Sequence, residues 1–420
     1  MEQVLSKENL NAAYLQVVRN KGAAGVDGMK YTQLKEYLLE NGETIREELR
    51  TRKYQPQPVR RVEIPKPDGG TRKLGVPTVT DRFVQQAVAQ VLTPVYEEQF
   101  HDHSYGFRPN RCAQQAVLKA LEMMNDGHNW IVDIDLAKFF DTVNHDKLMT
   151  IIGRTIKDGD IISIVRKFLV SGIMIDKEYE ESIIGTPQGG NLSPLLANIM
   201  LNELDRELEA RGLKFARYAD DCIIMVGSEM AANRVMRSVS RYIEEKLGLK
   251  VNATKSKVDR PEGIRYLGYG FYYDSSAKQY KAKPHAKSIE KFKAKAKQLT
   301  SRSWGVGNRY KVEKLNQLIR GWINYFKIGS MKNFCTKADK HIRYRLRMCI
   351  WKHWKTPGNK AKNLMKLGVP KYRAYRAAYA KGIARICRTG DVQMAITNRR
   401  FAEFGLISMS EYYAERRVKC

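Results

Sequence analysis

The sequence predicts an α+β fold whose last third is entirely helical. Three observations lead there. Strand and helix patterns mix through the first two-thirds without strict βαβ alternation. After about residue 284 every periodic segment repeats at helical spacing. Charge divides at the same place: residues 1–280 carry 39 Lys+Arg against 38 Asp+Glu, and residues 281–420 carry 35 against 7. The chain has 420 residues, 43% of them hydrophobic. That is enough core for two or three domains.

The elements follow in order. Residues 3–20 have helical spacing through Leu5, Leu10, Tyr14 and Val17. A glycine-punctuated stretch runs from Lys21 to Gly28, and Tyr31 to Leu49 again reads helical. Residues 59–79 read as two basic strands joined by Asp68-Gly69-Gly70, a hairpin signal. Asp81 is expected to cap a helix running to Leu92, with Pro94 ending or kinking it. Residues 130–136 form a strand. Lys214–Arg217 and Cys222–Val226 form a hairpin with Asp220-Asp221 at its bend. Between them a helix is expected to start with Ser193 as N-cap and Pro194 in the first turn, burying Leu195, Leu196, Ile199, Met200, Leu204 and Leu208. Asp141 is expected to cap the helix that enters His145 and Leu148.

Composition excludes several classes. No apolar run approaches the ~20 residues of a membrane-spanning helix, and the segment MEQVLSKENL lacks the character of a signal peptide. The six cysteines form no C-x-x-C pair, which argues against a zinc site or disulfide scaffold and fits a reducing cytoplasm. Seven histidines give no ligand pattern, although His101 and His103 alternate in a strand-like stretch. The net +28 of the last third, interleaved with Trp, Tyr, Phe and Leu, points to a folded polyanion binder. A solvated basic face and membrane-surface binding are the weaker alternatives.

The chemistry lies in carboxylates. Period 2 places Val132, Ile134 and Leu136 on one strand face and Asp133 and Asp135 on the other. Carboxylates on a half-buried strand are costly unless they meet a cation or water. Asp220 and Asp221 sit at a hairpin tip with apolar legs. Alone, that pair reads as a solvated turn. Converging with a third aspartate, it suits hard divalent cations, which take oxygen ligands and substrate phosphates.

Tyr218-Ala219-Asp220-Asp221 resembles the catalytic box of reverse transcriptases. Asp133-Ile134-Asp135-Leu136-Ala137-Lys138-Phe139-Phe140-Asp141 resembles their first palm motif, and Gly185 to Leu196, with Pro187-Gln188-Gly189, their P-Q-G motif. Upstream the likeness includes Lys21-Gly22-x-x-Gly25-Val26-Asp27-Gly28, Ile64-Pro65-Lys66-Pro67-Asp68-Gly69 and Ser104-Tyr105-Gly106-Phe107-Arg108-Pro109. Downstream it includes Leu249-x-x-Asn252-x-x-Lys255, Tyr266-Leu267-Gly268-Tyr269 and Arg320 to Phe326. In order and spacing the chain is similar to a bacterial group II intron-encoded reverse transcriptase and maturase, most like the compact group IIC class without an endonuclease domain.

The resemblance implies a right-hand polymerase. It places an N-terminal extension of the fingers at 1–50, fingers and palm at 51–284, a helical thumb at 285–355 and a basic DNA-binding domain at 356–420. It implies two Mg²⁺ ions, dNTP substrates and a bacterial cytoplasmic setting. The implied partners are intron RNA, an RNA template, a DNA primer and target DNA. Asp135, Asp220 and Asp221 would form the catalytic metal site. Phe140 would be the steric gate against a 2′-OH, with Phe139 as the other choice. Lys66 and Arg72, flanking the fingers turn, would meet a triphosphate; an RNA-facing surface is the alternative. Gln188 and Gly189 would pack on the nascent base pair. Lys255 is either a proton donor to pyrophosphate or an ordinary surface lysine. Tyr266, Leu267 and Gly268 resemble the primer grip. The alternatives are an RNA-binding splicing cofactor with little polymerase activity, or a repurposed host reverse transcriptase.

In the basic third, Ile289, Phe292, Ala296 and Leu299 mark an apolar stripe, and Lys287, Lys291 and Lys295 another face at i, i+4, i+8. With Arg343, Arg345 and Arg347 these lysines are the expected nucleic-acid contacts. Aromatics beyond Pro357-Gly358 are expected to be core rather than stacking platforms.

Overall fold

The computed structural model describes residues 1–65, 70–175, 178–180, 185 and 189–417. The chain forms two compact units, Met1–Arg260 and Pro261–Cys420. The hairpin strands after Pro261 group with the helices that follow them.

In the first unit, β1 (Val59–Pro65) and β2 (Thr71–Val76) pair antiparallel, with Pro65 opposite Thr71. Residues 66–69 between them, including Lys66, lie outside the described residues. β3 is Trp130–Ile134, β4 Ile173–Ile175 and β5 Glu178–Glu180. β6 is Lys214–Tyr218, β7 Asp221–Val226 and β8 Lys257–Asp259. One sheet runs β2-β1-β4-β5 and the other β6-β7-β3-β8. The second sheet is antiparallel throughout. Its apolar positions Val132, Ile134, Phe215 and Ile224 join one buried cluster with Val88, Leu196 and Leu204 from the helices. Burial of such side chains is worth about 1.5–3 kcal/mol each, and it fixes the register that sets the aspartates.

Several helix ends differ from expectation. Ser6 breaks the first helical stretch and caps Lys7–Asn20. Thr78, not Asp81, caps the helix Val79–Glu97. The Asp81 amide donates to the Thr78 hydroxyl, and that hydroxyl, Tyr54 and the Gln57 amide all donate to the Asp81 carboxylate. Pro94 lies inside this helix rather than ending it. Asp141 lies in the short helix Phe139–Thr142, and Asn144 caps His145–Thr155 by accepting from the Lys147 amide. Ser193 is the first residue of Ser193–Ala210 rather than its cap.

The second unit opens with β9 (Arg265–Tyr266), β10 (Tyr269–Asp274) and β11 (Gln279–Pro284), an antiparallel sheet in the order β11-β10-β9. Only helices follow among the described residues, beginning with Ala286–Leu299, Asn308–Phe326 and Lys332–His353. Among the described residues, no helix is long and apolar enough to cross a membrane.

Candidate active site

The catalytic box is a two-residue hairpin turn. Tyr218 pairs with Asp221 across β6 and β7, leaving Ala219 and Asp220 as the loop. Ala219 takes φ 56°, the left-handed region that a right-handed strand twist favours at such turns. Asp220 and Asp221 are both exposed at this tip. β3 lies antiparallel to β7, with Ile134 opposite Cys222, so Asp135 leaves the strand beside the Asp220-Asp221 turn. The three aspartates expected to act together are thus brought to one end of one sheet.

The surroundings hold Asp135 firmly. Its amide donates to Ser256 Oγ at 3.0 Å and its carbonyl accepts from the Asn252 amide at 2.8 Å. Asn252 Nδ2 donates to Asp135 Oδ1 at 3.4 Å, and Lys255 Nζ lies 3.8 Å from Oδ2. Lys255 is therefore a neighbour of the carboxylates. Asp133, opposite Ile223 on one side and Lys257 on the other, has its carboxyl pushed up to about 7. Burial is the main cause, and the negative charges of Asp221 and Asp135 add to it against Lys257. Burial thus favours the protonated form of Asp133, beside the more exposed carboxylates of Asp221 and Asp135.

Among the described residues, no three carboxylate, His or Cys side chains form a ready-made metal cage. Mg²⁺ is usually held by one or two carboxylates with substrate phosphates and waters completing its shell. The donor set fits an ion of that kind.

Behind the turn lies a polar network. Arg217 is fully buried. Its guanidinium donates to Asp205 at 2.7 and 2.5 Å, to Asn198 Oδ1 at 3.1 Å, to the Ala219 carbonyl at 2.9 Å and to Ser104 Oγ at 2.8 Å. It ties the turn to the helix Ser193–Ala210. The segment 103–105 runs alongside, as Arg217 N donates to the His103 carbonyl and Tyr105 N to the Arg217 carbonyl. A side chain at Gly106 would overlap the Ala219 backbone, so only glycine admits this approach. The sequence reading missed this network. Its signal was Asn198, Asn202 and Asp205, polar residues at i, i+4, i+7 on a helix buried on most sides.

Phe139 is buried at 3% exposure, whereas Phe140 is half-buried and meets it edge-on at 5.2 Å. Of the two gate choices, Phe140 is the one with a face left to offer. Gly185, at φ 99°, lies against the Phe140 and Asp141 backbone, and its carbonyl meets His145 Nε2 at 2.5 Å. Gly189, at φ 128°, approaches β2: a Cβ there would lie 2.5 Å from the Gly75 carbonyl oxygen. Gln188 lies outside the described residues. Arg72 stands exposed on β2 opposite Ile64.

In the second unit, Tyr266 pairs with Tyr269, and Leu267 and Gly268 form the turn with φ 50° and 81°. Tyr325 OH donates to the Leu267 carbonyl, and Ser288 Oγ and the His285 amide donate to that of Gly268. Lys287, Lys291 and Lys295 are exposed on their helix, as the spacing requires.

Two of the three arginines are engaged within the fold. Arg347 is buried, donating to the Ile396 carbonyl and Asn398 Oδ1. Arg345 donates to Thr300 Oγ1 and to the Lys297 and Thr300 carbonyls. Both brace helices of the second unit. Arg343 is half-exposed. The aromatics beyond Pro357-Gly358 divide: Phe401 and Tyr413 are buried as expected, whereas Tyr372, Tyr375 and Tyr379 stand exposed on Lys371–Tyr379, whose buried face is Ala374, Ala377 and Ala378.

Aspartates meeting at the end of an antiparallel sheet, with a basic helical region in the same chain, are the arrangement a nucleic-acid polymerase uses. Residues 64–271 match the family model described as reverse transcriptase (RNA-dependent DNA polymerase), and residues 289–368 match the group II intron, maturase-specific domain. Protein YkfC of Escherichia coli (strain K12) is 34% identical over 291 residues, 60% of this chain and 76% of that protein. The group II intron-encoded protein LtrA of Lactococcus lactis subsp. cremoris is 39% identical over 212 residues, half of this chain but 35% of LtrA. A solved structure of telomerase from Candida albicans matches 87% of this chain and 65% of that one at 13% identity, with a TM-score of 0.46. The chain belongs to the group II intron reverse transcriptase and maturase family. It is an RNA-dependent DNA polymerase with a maturase-specific domain.

Proposed function

We propose that this protein copies an RNA template into DNA from a primer 3′-end, and binds group II intron RNA to assist its splicing and insertion into DNA. The carrying observation is the antiparallel pairing of β3 with β7, which brings Asp135 beside Asp220 and Asp221. The related LtrA is named as an intron-encoded protein, and the matched maturase-specific domain supports the splicing half. The group IIC subclass and the bacterial origin belong to this proposal.

Asp135, Asp220 and Asp221 would hold two Mg²⁺ ions, whose chemistry is to lower the charge cost of phosphoryl transfer at the attacking and leaving oxygens. The chain's own residues do the rest. Asn252 and Ser256 fix Asp135, and Arg217 fixes the turn that carries Asp220. Such positioning is where much of a polymerase's catalysis originates. Lys66, Arg72 and Lys255 would face the triphosphate, Gln188 and Gly189 the new base pair, and Phe140 the sugar. Tyr266, Leu267 and Gly268 would contact the primer. Lys287, Lys291, Lys295 and Arg343 would meet the phosphate backbone, and the 356–420 segment target DNA.

The test is primer extension on an RNA template with dNTPs and Mg²⁺. The wild-type chain should extend, and Asp220→Ala should not, while keeping its affinity for RNA. Normal extension by Asp220→Ala would remove the assignment. Splicing assistance without extension by the wild type would favour the maturase-only alternative.

A further inference from the structure

Beside the catalytic turn stands a residue whose conformation is costly and whose side chain is mostly exposed. Phe107 has φ 57°. For a bulky residue that is an outlier, and such strain persists where the surrounding structure imposes it. The imposition is visible on both sides. Gly106 lies against the Ala219 backbone, and its carbonyl accepts from Asn198 Nδ2 at 2.8 Å. Arg108 is buried, donating to Glu97 and to the His101 and Ser104 carbonyls. Between these anchors the Phe107 ring remains 58% exposed, with Tyr218 of the catalytic box 6.4 Å away. Exposure alone would mean little, but here a strained backbone fixes an exposed ring beside the catalytic turn, and strain of this kind gathers at ligand-contacting sites.

We propose that Phe107 is a positioning residue whose ring packs against the sugar edge of the primer's terminal nucleotides, aligning the 3′-end with Asp220 and Asp221. The proposal rests on the polymerase reading above. In that reading the 3′-oxygen must come to the aspartates, so the last primer nucleotides lie within reach of the turn's immediate neighbours. The chemistry suits the task. A phenyl ring carries no donor or acceptor, so it supports a sugar without reading the base. A polymerase must accept every base pair at this point. Rigidity matters too, because a misplacement of ~1 Å at a reacting end costs about 10²-fold in rate.

The experiment compares Phe107→Ala, Phe107→Gly and Phe107→Leu with wild type and Asp220→Ala in steady-state and single-turnover extension. Glycine takes the positive φ without strain, so Phe107→Gly should melt at least as high as Phe107→Ala. Both should lose about tenfold in kcat/KM for primer–template, the size expected for one partly buried ring. The KM for dNTP should stay unchanged, the loss should be the same for all four terminal base pairs, and Phe107→Leu should recover most of it. Wild-type kcat/KM in a folded Phe107→Gly would overturn the proposal. So would a loss that tracks melting temperature, or one confined to the KM for dNTP. If the wild type itself fails to extend while remaining folded, the polymerase reading fails first and this inference falls with it.

Discussion

His103 shows how a single residue connects the site's scaffold to pH. It was expected to alternate with His101 on a strand. Instead the two rings meet edge-on at 4.8 Å in a tight turn, both against Phe215. Burial, with the nearby charges of His101 and Lys119, lowers the His103 pKa from 6.5 to about 4, against a small opposing effect of Asp102. The folded chain thus keeps the ring neutral. As pH falls below 6.5 the unfolded chain takes up a proton that the folded chain refuses until about 4. Stability therefore falls across that window, by about 3 kcal/mol at most, which solvent screening of this half-buried ring reduces to on the order of 2 kcal/mol. His103→Gln should remove that part of the acid sensitivity. Urea unfolding at pH 7 and pH 4.5 measures it, and an unchanged pH dependence in the variant would show that His103 does not titrate in this way. The residue matters because its carbonyl accepts from Arg217, which holds the catalytic turn.

At the scale of elements, the palm strands were legible because period 2 and a buried face leave one register open to them. Helix starts were less so. A Thr-x-x-Asp sequence satisfies itself reciprocally, so the acidic residue at 81 belongs to the first turn and Thr78 is the cap. The exposed tyrosines of Lys371–Tyr379 were not legible because large side chains do not mark the buried face of this helix. The packing stripe there is alanine, at 374, 377 and 378. The Arg217 network was hidden because a buried arginine's partners come from distant segments. The lysine helix Ala286–Leu299 was legible in its spacing, since Phe292, Ala296 and Leu299 are buried, Ile289 half-buried, and Lys287, Lys291 and Lys295 exposed. Changing those three lysines to Gln should keep the helix, because Gln forms helix nearly as well as Lys. It should flatten the salt dependence of primer–template binding by up to about three contacts. Circular dichroism checks the fold. A folded variant with the wild-type slope would mean these lysines meet only solvent.

For the whole molecule, charge divides along the same line as structure. Met1–Arg260 carries 37 Lys+Arg against 36 Asp+Glu, and Pro261–Cys420 carries 37 against 9. The carboxylates of the reaction are in the balanced unit, and most of the unpaired positive charge is in the other. Affinity and chemistry should therefore separate experimentally. If about 6–10 phosphates are contacted, affinity for primer–template should fall ~10³–10⁵-fold between 50 and 200 mM salt. Asp220→Ala should follow the same line while synthesising nothing, because the lost carboxylate serves the reaction and not phosphate binding. Wild-type enzyme preloaded on primer–template, then given dNTPs with a competitor trap, should show a first-turnover rate that changes little over the same salt range. Dissociation alone would shorten its products. A shifted salt slope in Asp220→Ala would place the turn within the backbone-binding surface. A first-turnover rate falling as steeply as affinity would mean that the basic unit also assembles the reacting geometry, and the division of labour implied by the charges would be wrong.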